Sequence, residues 1–205
     1  MRPSQEEEHK LYREGYTIIA GIDEAGRGPL AGPVVAAAVV FPRELDDQWH
    51  KLVRDSKTLS AGQRERALAY IQDHAQSVGV GASTNEEIDN LGIVEATKNA
   101  MSRAITSLTY PPQFLLIDAM PLPETGKPFK AIIKGDSTCL SIAAASIVAK
   151  VTRDLIMEQA DQRYPGYGFA RHKGYPTYDH LSNLAKLGPC PLHRYSFGPV
   201  KKVGG

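Results

Sequence analysis

Four carboxylates follow apolar runs of this chain, and their positions suggest that they act together. Asp23 and Glu24 end the first apolar run, and Asp118 ends a later one. Asp136 lies between the last predicted strand and a long helix. Acids at the ends of adjacent strands can meet at one edge of a sheet, where α/β folds place their functional sites. Close carboxylates repel one another unless a proton or a cation lies between them, and four of them favour cations.

The ligand types indicate a hard metal ion. Carboxylate oxygens without neighbouring histidine or cysteine suit Mg²⁺ or Mn²⁺, and two such ions about 4 Å apart can promote hydrolysis of a phosphodiester. Any one of these acids could instead be a helix cap or a surface ion-pair partner. We leave Asp154 out of the site, because a continuous helix would place it about 27 Å from Asp136 at 1.5 Å per residue. We expect Asp154 to form a structural ion pair.

A glycine-rich loop with one arginine follows the first two acids, at Gly26, Arg27 and Gly28. Two glycines let the backbone approach a ligand closely and present its amides, while the arginine can reach a phosphate or a hydroxyl. A strand that ends in a solvated turn is the simpler interpretation, because glycine and proline often follow strands.

The elements that would position these residues alternate between strands and helices. Apolar runs predict neighbouring strands at 17–23 and 34–41, and later strands near 78–83, 114–118 and 131–134. Helical patterns run from an N-cap at Ser60 to about Ala75, from about 92 to 108, and from about 140 to 163. Strands that alternate with helices after an initial hairpin indicate an α/β domain.

The bulk composition is that of an ordinary globular protein. A chain of 205 residues with 42% apolar residues sustains one core without disulfides, and a net charge of +1 argues neither for nor against nucleic acid. Two cysteines are too few for a disulfide framework, the N-terminus is too polar for a signal peptide, and no apolar run is long enough to cross a membrane. We therefore expect a cytoplasmic protein without membrane contact.

The stretch from 163 to 180 differs from the rest of the chain. RYPGYGFARHKGYPTYDH combines four tyrosines with arginine, lysine and histidine side chains. Such a mixture suits base or sugar stacking together with phosphate contact.

Six segments of the chain together resemble a known family. They are GIDEAGRGPLAGPVVAAAV at 21–39, DSKTLS at 55–60, FLLIDA at 114–119, IKGDSTCLSIAAASIVAKVTRD at 133–154, YGFARHKGYPT at 167–177 and HRYSF at 193–197. In this order they resemble bacterial ribonuclease HII, a type 2 ribonuclease H. The resemblance implies a ribonuclease H-like fold: a five-stranded mixed sheet flanked by helices, with a catalytic domain at 1–160. A small helical segment at 161–205 would pack on that domain and line the substrate groove.

The resemblance also implies roles for individual residues. Metal-binding and catalytic roles fall on Asp23, Glu24, Asp118 and Asp136. Gly26, Arg27 and Gly28 would read the 2′-hydroxyl at a junction between a ribonucleotide and the next deoxynucleotide, and Tyr175 would stack on the sugar beyond it. Further substrate contacts are expected from Ser56, Lys57, Lys134, Arg163, Arg171, His172 and Lys173. One departure is Ala119, because glycine commonly follows the third acid in this family.

The implied activity is that of an endonuclease with divalent metal ions. It would hydrolyse the RNA strand of RNA/DNA hybrids and incise duplex DNA 5′ of single embedded ribonucleotides, leaving 3′-hydroxyl and 5′-phosphate ends. Its tasks would be the removal of misincorporated ribonucleotides and RNA primers, and the resemblance implies a monomer. The tail SFGPVKKVGG has no obvious motif for binding a replication clamp.

Two alternatives remain open at the level of sequence. A nucleic-acid binding module that has lost the chemistry would lack a carboxylate, and none is missing. A sister nuclease for long hybrids, ribonuclease HI or HIII, is the other alternative. The glycine-arginine-glycine loop and Tyr175 favour the junction enzyme over HI, and the lack of an added N-terminal domain disfavours HIII.

Overall fold

A five-stranded mixed sheet forms the centre of the molecule. The computed structural model describes residues 2–46 and 48–204, apart from the side chain of residue 50. The strands are β1 (Ile19–Ala25), β2 (Val34–Val40), β3 (Ser77–Ser83), β4 (Phe114–Asp118) and β5 (Phe129–Ile132). Their order across the sheet is β3-β2-β1-β4-β5. The strands β1, β2 and β3 pair antiparallel, whereas β4 is parallel to both β1 and β5. The expected mixed sheet is thus confirmed.

Helices connect the strands and follow the last of them. They are α1 (Glu6–Arg13), α2 (Trp49–Leu52), α3 (Ala61–His74), α4 (Asn85–Leu91), α5 (Ile93–Thr106), α6 (Gly135–Thr138), α7 (Leu140–Arg163), α8 (Phe169–His172), α9 (Tyr178–Leu187) and α10 (Gly198–Gly204). A short 3₁₀ helix spans Pro123–Thr125. None of the helices that the structure describes has both the length and the hydrophobicity that a membrane crossing needs.

Both faces of the sheet are covered by helices, which explains the unbroken apolar sequence of β2. Ala36 and Ala38 belong to a core cluster with residues of α5, whereas Ala37 and Val39 belong to a cluster with residues of α3 and α7. Successive side chains of a strand point to opposite faces, so a strand buried on both sides is apolar throughout. At Gly21 of β1, an added Cβ would lie 2.1 Å from the backbone of α7. The acid-bearing strand therefore lies directly against this long helix.

Local sequence signals predicted several element boundaries. Ser60 caps α3 through a reciprocal capping box with Gln63, as its position before the helical pattern indicates. The predicted helix at 140–163 coincides with α7. The last strand lies two residues earlier than predicted, because the chain leaves the extended conformation and Lys134 adopts a φ of 58°. Helices α1, α2, α4 and α6 were not predicted.

The chain beyond α7 packs against the loop between β1 and β2. Ala31 forms an antiparallel bridge with His193, and the Gly32 amide donates to the Leu192 carbonyl at 2.9 Å. Helix α7 itself runs through residue 160, so the division of the chain at that residue stays a prediction.

A buried glutamate of α1 caps the start of α7. Glu8 Oε1 accepts hydrogen bonds from the Ser141 amide at 2.9 Å and from Cys139 Sγ at 3.2 Å. Burial raises the pKa of the Cys139 thiol well above its ordinary value, so Cys139 stays a neutral donor. The first amides of a helix lack partners within the helix and attract negative charge. Glu8 therefore supplies, from a separate helix, the cap that the side chain of the α7 N-cap residue does not provide.

Replacing Glu8 with alanine is expected to lower the free energy of unfolding by about 1–3 kcal/mol, because a buried amide loses its acceptor. Urea denaturation would measure the change. Glu6→Ala is the matched control, since Glu6 is exposed on the first turn of the same helix. Equal stabilities for the two variants would contradict the capping role.

Candidate active site

The sheet topology brings three of the four acids together. Asp23 and Asp118 each follow the Ile22–Ile117 pair, the last in the parallel register of β1 and β4, so they reach the same sheet edge. Asp136 arrives from α6, directly after β5. Carboxylate oxygens of Asp23, Asp118 and Asp136 lie within 4.8 Å of one another. Glu24, the next residue of β1, lines the same cavity as Asp23 and Asp118.

The cluster is electrostatically unfavourable for its own charged form. Burial, followed by the charges of Glu24 and Asp118, raises the pKa of Asp23 well above its ordinary value. Burial also raises the pKa values of Glu24 and Asp118, although Arg27 opposes the change at Glu24 and the Gly135 amide opposes it at Asp118. A bound cation would relieve this repulsion. Oxygen-only ligands at this spacing therefore fit hard divalent ions.

Hydrogen bonds fix the orientation of each carboxylate. Asp118 Oδ1 accepts from the Gly135 amide at 2.7 Å, and Asp23 Oδ1 accepts from the Glu24 amide at 2.7 Å. Lys57 Nζ donates to Asp136 Oδ2 at 3.0 Å, although the lysine side chain is largely exposed. Lys57 thus lies at the rim of the site, with one end on a carboxylate and the rest in solvent.

The residue after the third acid has a left-handed backbone conformation. Ala119 has a φ of 51°, which favours glycine and strains a residue with a Cβ. The strain gives a physical reason for the glycine that the family resemblance implies at this position. Asp118 is nevertheless held by its bond from Gly135, so the alanine does not displace the acid.

Ala119→Gly is expected to raise the free energy of unfolding by up to about 1 kcal/mol, because it removes the left-handed penalty and only part of the gain is lost to backbone entropy. Guanidinium denaturation would measure it. Ala131→Gly, in the extended strand β5, should be destabilising and serves as the control. A loss of stability in both variants would show that no strain exists at residue 119.

The glycine-arginine-glycine loop and Tyr175 line the same cavity as Asp23, Glu24 and Asp118. Gly26 has a φ of 98°. A Cβ built on Gly28 would lie 3.9 Å from Tyr175 Cε1, so the tyrosine ring faces the loop from the far end of the chain. Arg27 Nη1 lies 3.4 Å from Glu24 Oε1, and both residues line the cavity.

The remaining predicted contacts are distributed more widely. Ser56 is buried in the cavity wall, with its hydroxyl 2.9 Å from Ser146 Oγ. Lys134 is exposed at the N-cap of α6, and the Arg163 guanidinium lies over the Tyr164 ring. Only Ser56 of these three lines the cavity with the acids.

The basic residues at 171–173, shortly before Tyr175, already have partners within the protein. Arg171 pairs with Asp179, and Lys173 Nζ contacts Glu158 at 2.7 Å. His172 is buried, and its ring nitrogens contact the Tyr167 carbonyl at 2.8 Å and the Gly174 amide at 3.2 Å. The structure therefore gives His172 a place inside the loop, not the expected place on the groove, because both nitrogens already have backbone partners.

Sequence reasoning missed two buried arginines, Arg153 and Arg194, and a stacked group of histidines. His172, His180 and His193 pack together, and burial lowers the pKa of His193 to about 4. Arg153 and Arg194 fall within segments of the family resemblance, but nothing in a linear pattern indicates their burial. Asp154 pairs with Lys150 at 2.7 Å, which confirms the expected structural ion pair.

A five-stranded mixed sheet with a carboxylate cluster at one edge fits a metal-dependent nuclease of the ribonuclease H class, because oxygen ligands suit divalent ions that promote phosphodiester hydrolysis. Comparison with known proteins supports the same class of protein. The model of the family Ribonuclease HII matches residues 20–200, and the chain belongs to that family. It is thus a ribonuclease H, an endonuclease that cleaves the RNA of RNA/DNA hybrids, and its family depends on metal ions.

Similar proteins span nearly the whole chain. A Ribonuclease HII of Dehalococcoides mccartyi is 50% identical over 199 residues, covering 97% of this chain and 94% of the relative. That of Geobacter metallireducens is 51% identical over 195 residues, covering 95% and 90%. Among solved structures, the ribonuclease H2 of Pyrococcus horikoshii OT3 superposes with a TM-score of 0.78 at 30% identity, covering 91% of this chain and 97% of that one.

Proposed function

We propose that the protein incises duplex DNA on the 5′ side of a single embedded ribonucleotide, as well as the RNA strand of hybrids, and leaves 3′-hydroxyl and 5′-phosphate ends. One observation carries the proposal: the Gly26–Gly28 loop and Tyr175 line one cavity with Asp23, Glu24 and Asp118. A nucleic-acid strand in this cavity would therefore present the 2′-hydroxyl of one nucleotide to the loop backbone and the adjacent phosphate to the carboxylates.

Recognition of one hydroxyl needs polar groups that lose a partner when the hydroxyl is absent. The loop offers its backbone amides for this role. Tyr175, exposed beside Gly28, would stack on the sugar beyond the junction. Lys57 at the rim would meet the phosphate backbone, with Ser56 in the wall and Lys134, Arg163, Arg171 and Lys173 as outer contacts. His172 would hold the loop that carries Tyr175.

The carboxylates would hold two divalent ions, Mg²⁺ or Mn²⁺, with ligands from Asp23, Glu24, Asp118 and Asp136. Such ions supply Lewis-acid activation of water and stabilisation of the leaving oxygen. The protein's part is to orient three of these carboxylates: the Gly135 amide binds Asp118, the Glu24 amide binds Asp23, and the Lys57 ammonium binds Asp136.

The decisive experiment uses three matched duplexes: one with a single ribonucleotide, one of DNA only, and one long hybrid. Each is incubated with Mg²⁺, with Mn²⁺ or with a chelator. Metal-dependent incision 5′ of the lone ribonucleotide supports the proposal. Cleavage of the long hybrid alone would assign a sister specificity and leave the Gly26–Gly28 loop without the role given to it.

Asp136→Asn separates an enzyme from a binding module. We expect it to lose cleavage while its affinity for the hybrid stays within a few fold. Unchanged cleavage would remove Asp136 from the site.

We further propose, on the family resemblance, a monomer that removes misincorporated ribonucleotides and RNA primers in the cytoplasm. Light scattering tests the monomer, which has a mass of 22.3 kDa.

A further inference from the structure

Arg194 binds the backbone of the loop that follows β1. Its side chain is fully buried and donates three hydrogen bonds to backbone carbonyls. Nη2 contacts the Gly26 carbonyl at 2.6 Å, Nη1 the Arg27 carbonyl at 2.9 Å, and Nε the Gly32 carbonyl at 2.9 Å. One guanidinium thus binds both ends of the loop.

These contacts determine where the loop amides point. A trans peptide is planar, so the N–H of one residue points opposite to the C=O of the residue before it. Because the Gly26 and Arg27 carbonyls bind Arg194, the amides of Arg27 and Gly28 are turned away from it, and both of these residues line the cavity. Within the part of the chain that the structure describes, neither amide has a hydrogen-bond acceptor.

A second buried arginine completes the support. Arg153 of α7 donates to the carbonyls of Pro33 at 2.9 Å, Ala31 at 3.1 Å and Lys173 at 3.0 Å. Its guanidinium also lies 5.9 Å from the centre of the Tyr175 ring. Arg153 therefore joins the loop after β1 to the loop that carries the tyrosine.

Neither guanidinium has a carboxylate partner among the described residues. Burial, then the charge of Arg153, lowers the pKa of Arg194 to about 9. A planar guanidinium with five donors suits three carbonyls, whereas the ammonium of lysine cannot span them. The need for several simultaneous contacts explains why an arginine lies here, although burial of its charge is unfavourable.

We propose that Arg194 is a positioning residue for ribonucleotide specificity: it orients the Arg27 and Gly28 amides toward the 2′-hydroxyl of the substrate, and Arg153 supports it. This inference rests on the proposed function, because it assigns to Arg194 the geometry of the loop that reads the junction.

The test compares affinities in a protein that binds without cutting, Asp136→Asn. Fluorescence anisotropy gives the Kd for a duplex with one ribonucleotide and for the identical all-DNA duplex. Adding Arg194→Lys is expected to reduce the ratio of the two affinities by about fivefold to tenfold, the scale of one or two misaligned hydrogen bonds. The affinity for the all-DNA duplex should stay within about twofold. Arg13→Lys is the control, since Arg13 is exposed on α1.

The possible outcomes are distinct. An unchanged ratio in a folded Arg194→Lys protein, or a parallel loss of both affinities, would overturn the inference, because a purely structural residue affects both duplexes alike. Equal affinities in the parent would overturn the proposed function itself, and this inference with it.

A second measurement does not depend on the folding of the variant. In the parent labelled with ¹⁵N-glycine, the Gly28 amide resonance should shift with the ribonucleotide duplex and respond much less to the all-DNA duplex. Equal responses to both duplexes would contradict the proposed orientation.

Discussion

Replacing Asp23 with asparagine is expected to abolish cleavage and to stabilise the metal-free protein at alkaline pH. Cleavage should fall by at least about a thousandfold, since a bound metal contributes several kcal/mol of transition-state stabilisation. Stability should rise by about 1–3 kcal/mol at pH 8, because a buried, unpaired negative charge is removed. The two effects have one cause, the crowding of carboxylates at one sheet edge.

The direction of the pH effect follows from the raised pKa of Asp23. Between the ordinary pKa of about 3.9 and the raised one, the folded protein retains a proton that the unfolded chain has lost. The free energy of unfolding of the metal-free parent therefore decreases as pH rises through this window. Asp23→Asn lacks this contribution, so the two proteins should converge in stability near pH 4.

Urea denaturation with chelator at pH 4 and pH 8, together with a cleavage assay, measures both effects. Asp73→Asn is the control, because Asp73 is exposed on α3 and should change neither quantity. A variant that cleaves normally would remove Asp23 from the site. A variant less stable than the parent at pH 8 would show that Asp23 does not carry an unfavourable charge.

The second large effect is expected at Gly26, where alanine should lower the free energy of unfolding by about 3 kcal/mol or more. The residue has a φ of 98°, and a Cβ there would lie 2.1 Å from Arg153 Nε and 2.8 Å from the Pro33 carbonyl. Arg153 cannot withdraw easily, since it is buried and bound to three carbonyls.

Gly28→Ala is the matched comparison. Its Cβ would meet only Tyr175 Cε1, at 3.9 Å, so stability should stay within about 0.5 kcal/mol of the parent. Its kcat/KM on the single-ribonucleotide duplex should fall at least about tenfold, because a methyl group stands where the strand must approach the backbone. Thermal unfolding and the duplex assay separate the two glycines. Normal cleavage by folded Gly28→Ala would contradict the close approach of the substrate at this residue.

The sequence was informative where local chemistry determines structure. Apolar runs that end in acids predicted the meeting of Asp23, Asp118 and Asp136, because parallel strands bring their ends to one edge. Ser60 predicted the start of α3 because a cap acts within one turn. The metal-binding role of these acids and the substrate contacts stay predictions.

Long-range packing could not be predicted in the same way. All the carbonyls that Arg194 binds, and two of the three that Arg153 binds, lie more than a hundred residues away, and a linear pattern contains no trace of them. The conformation of Ala119 depends on how β4 leaves the sheet. His172 resembles a surface residue in sequence because it lies between arginine and lysine, yet its ring is enclosed by backbone groups.

The distance along the chain between Arg194 and its carbonyls has a consequence during synthesis. Gly26 precedes Arg194 by 168 residues, and translation at about 5–20 residues per second takes roughly 8 to 34 seconds to cover that interval. Since Arg194 is proposed to orient the Arg27 and Gly28 amides, these amides have no fixed orientation during this time. A nascent chain surrounded by messenger and ribosomal RNA thus carries its carboxylates before it can recognise a ribose. Competence arrives only after residue 194 has left the ribosome and bound the carbonyls of the loop.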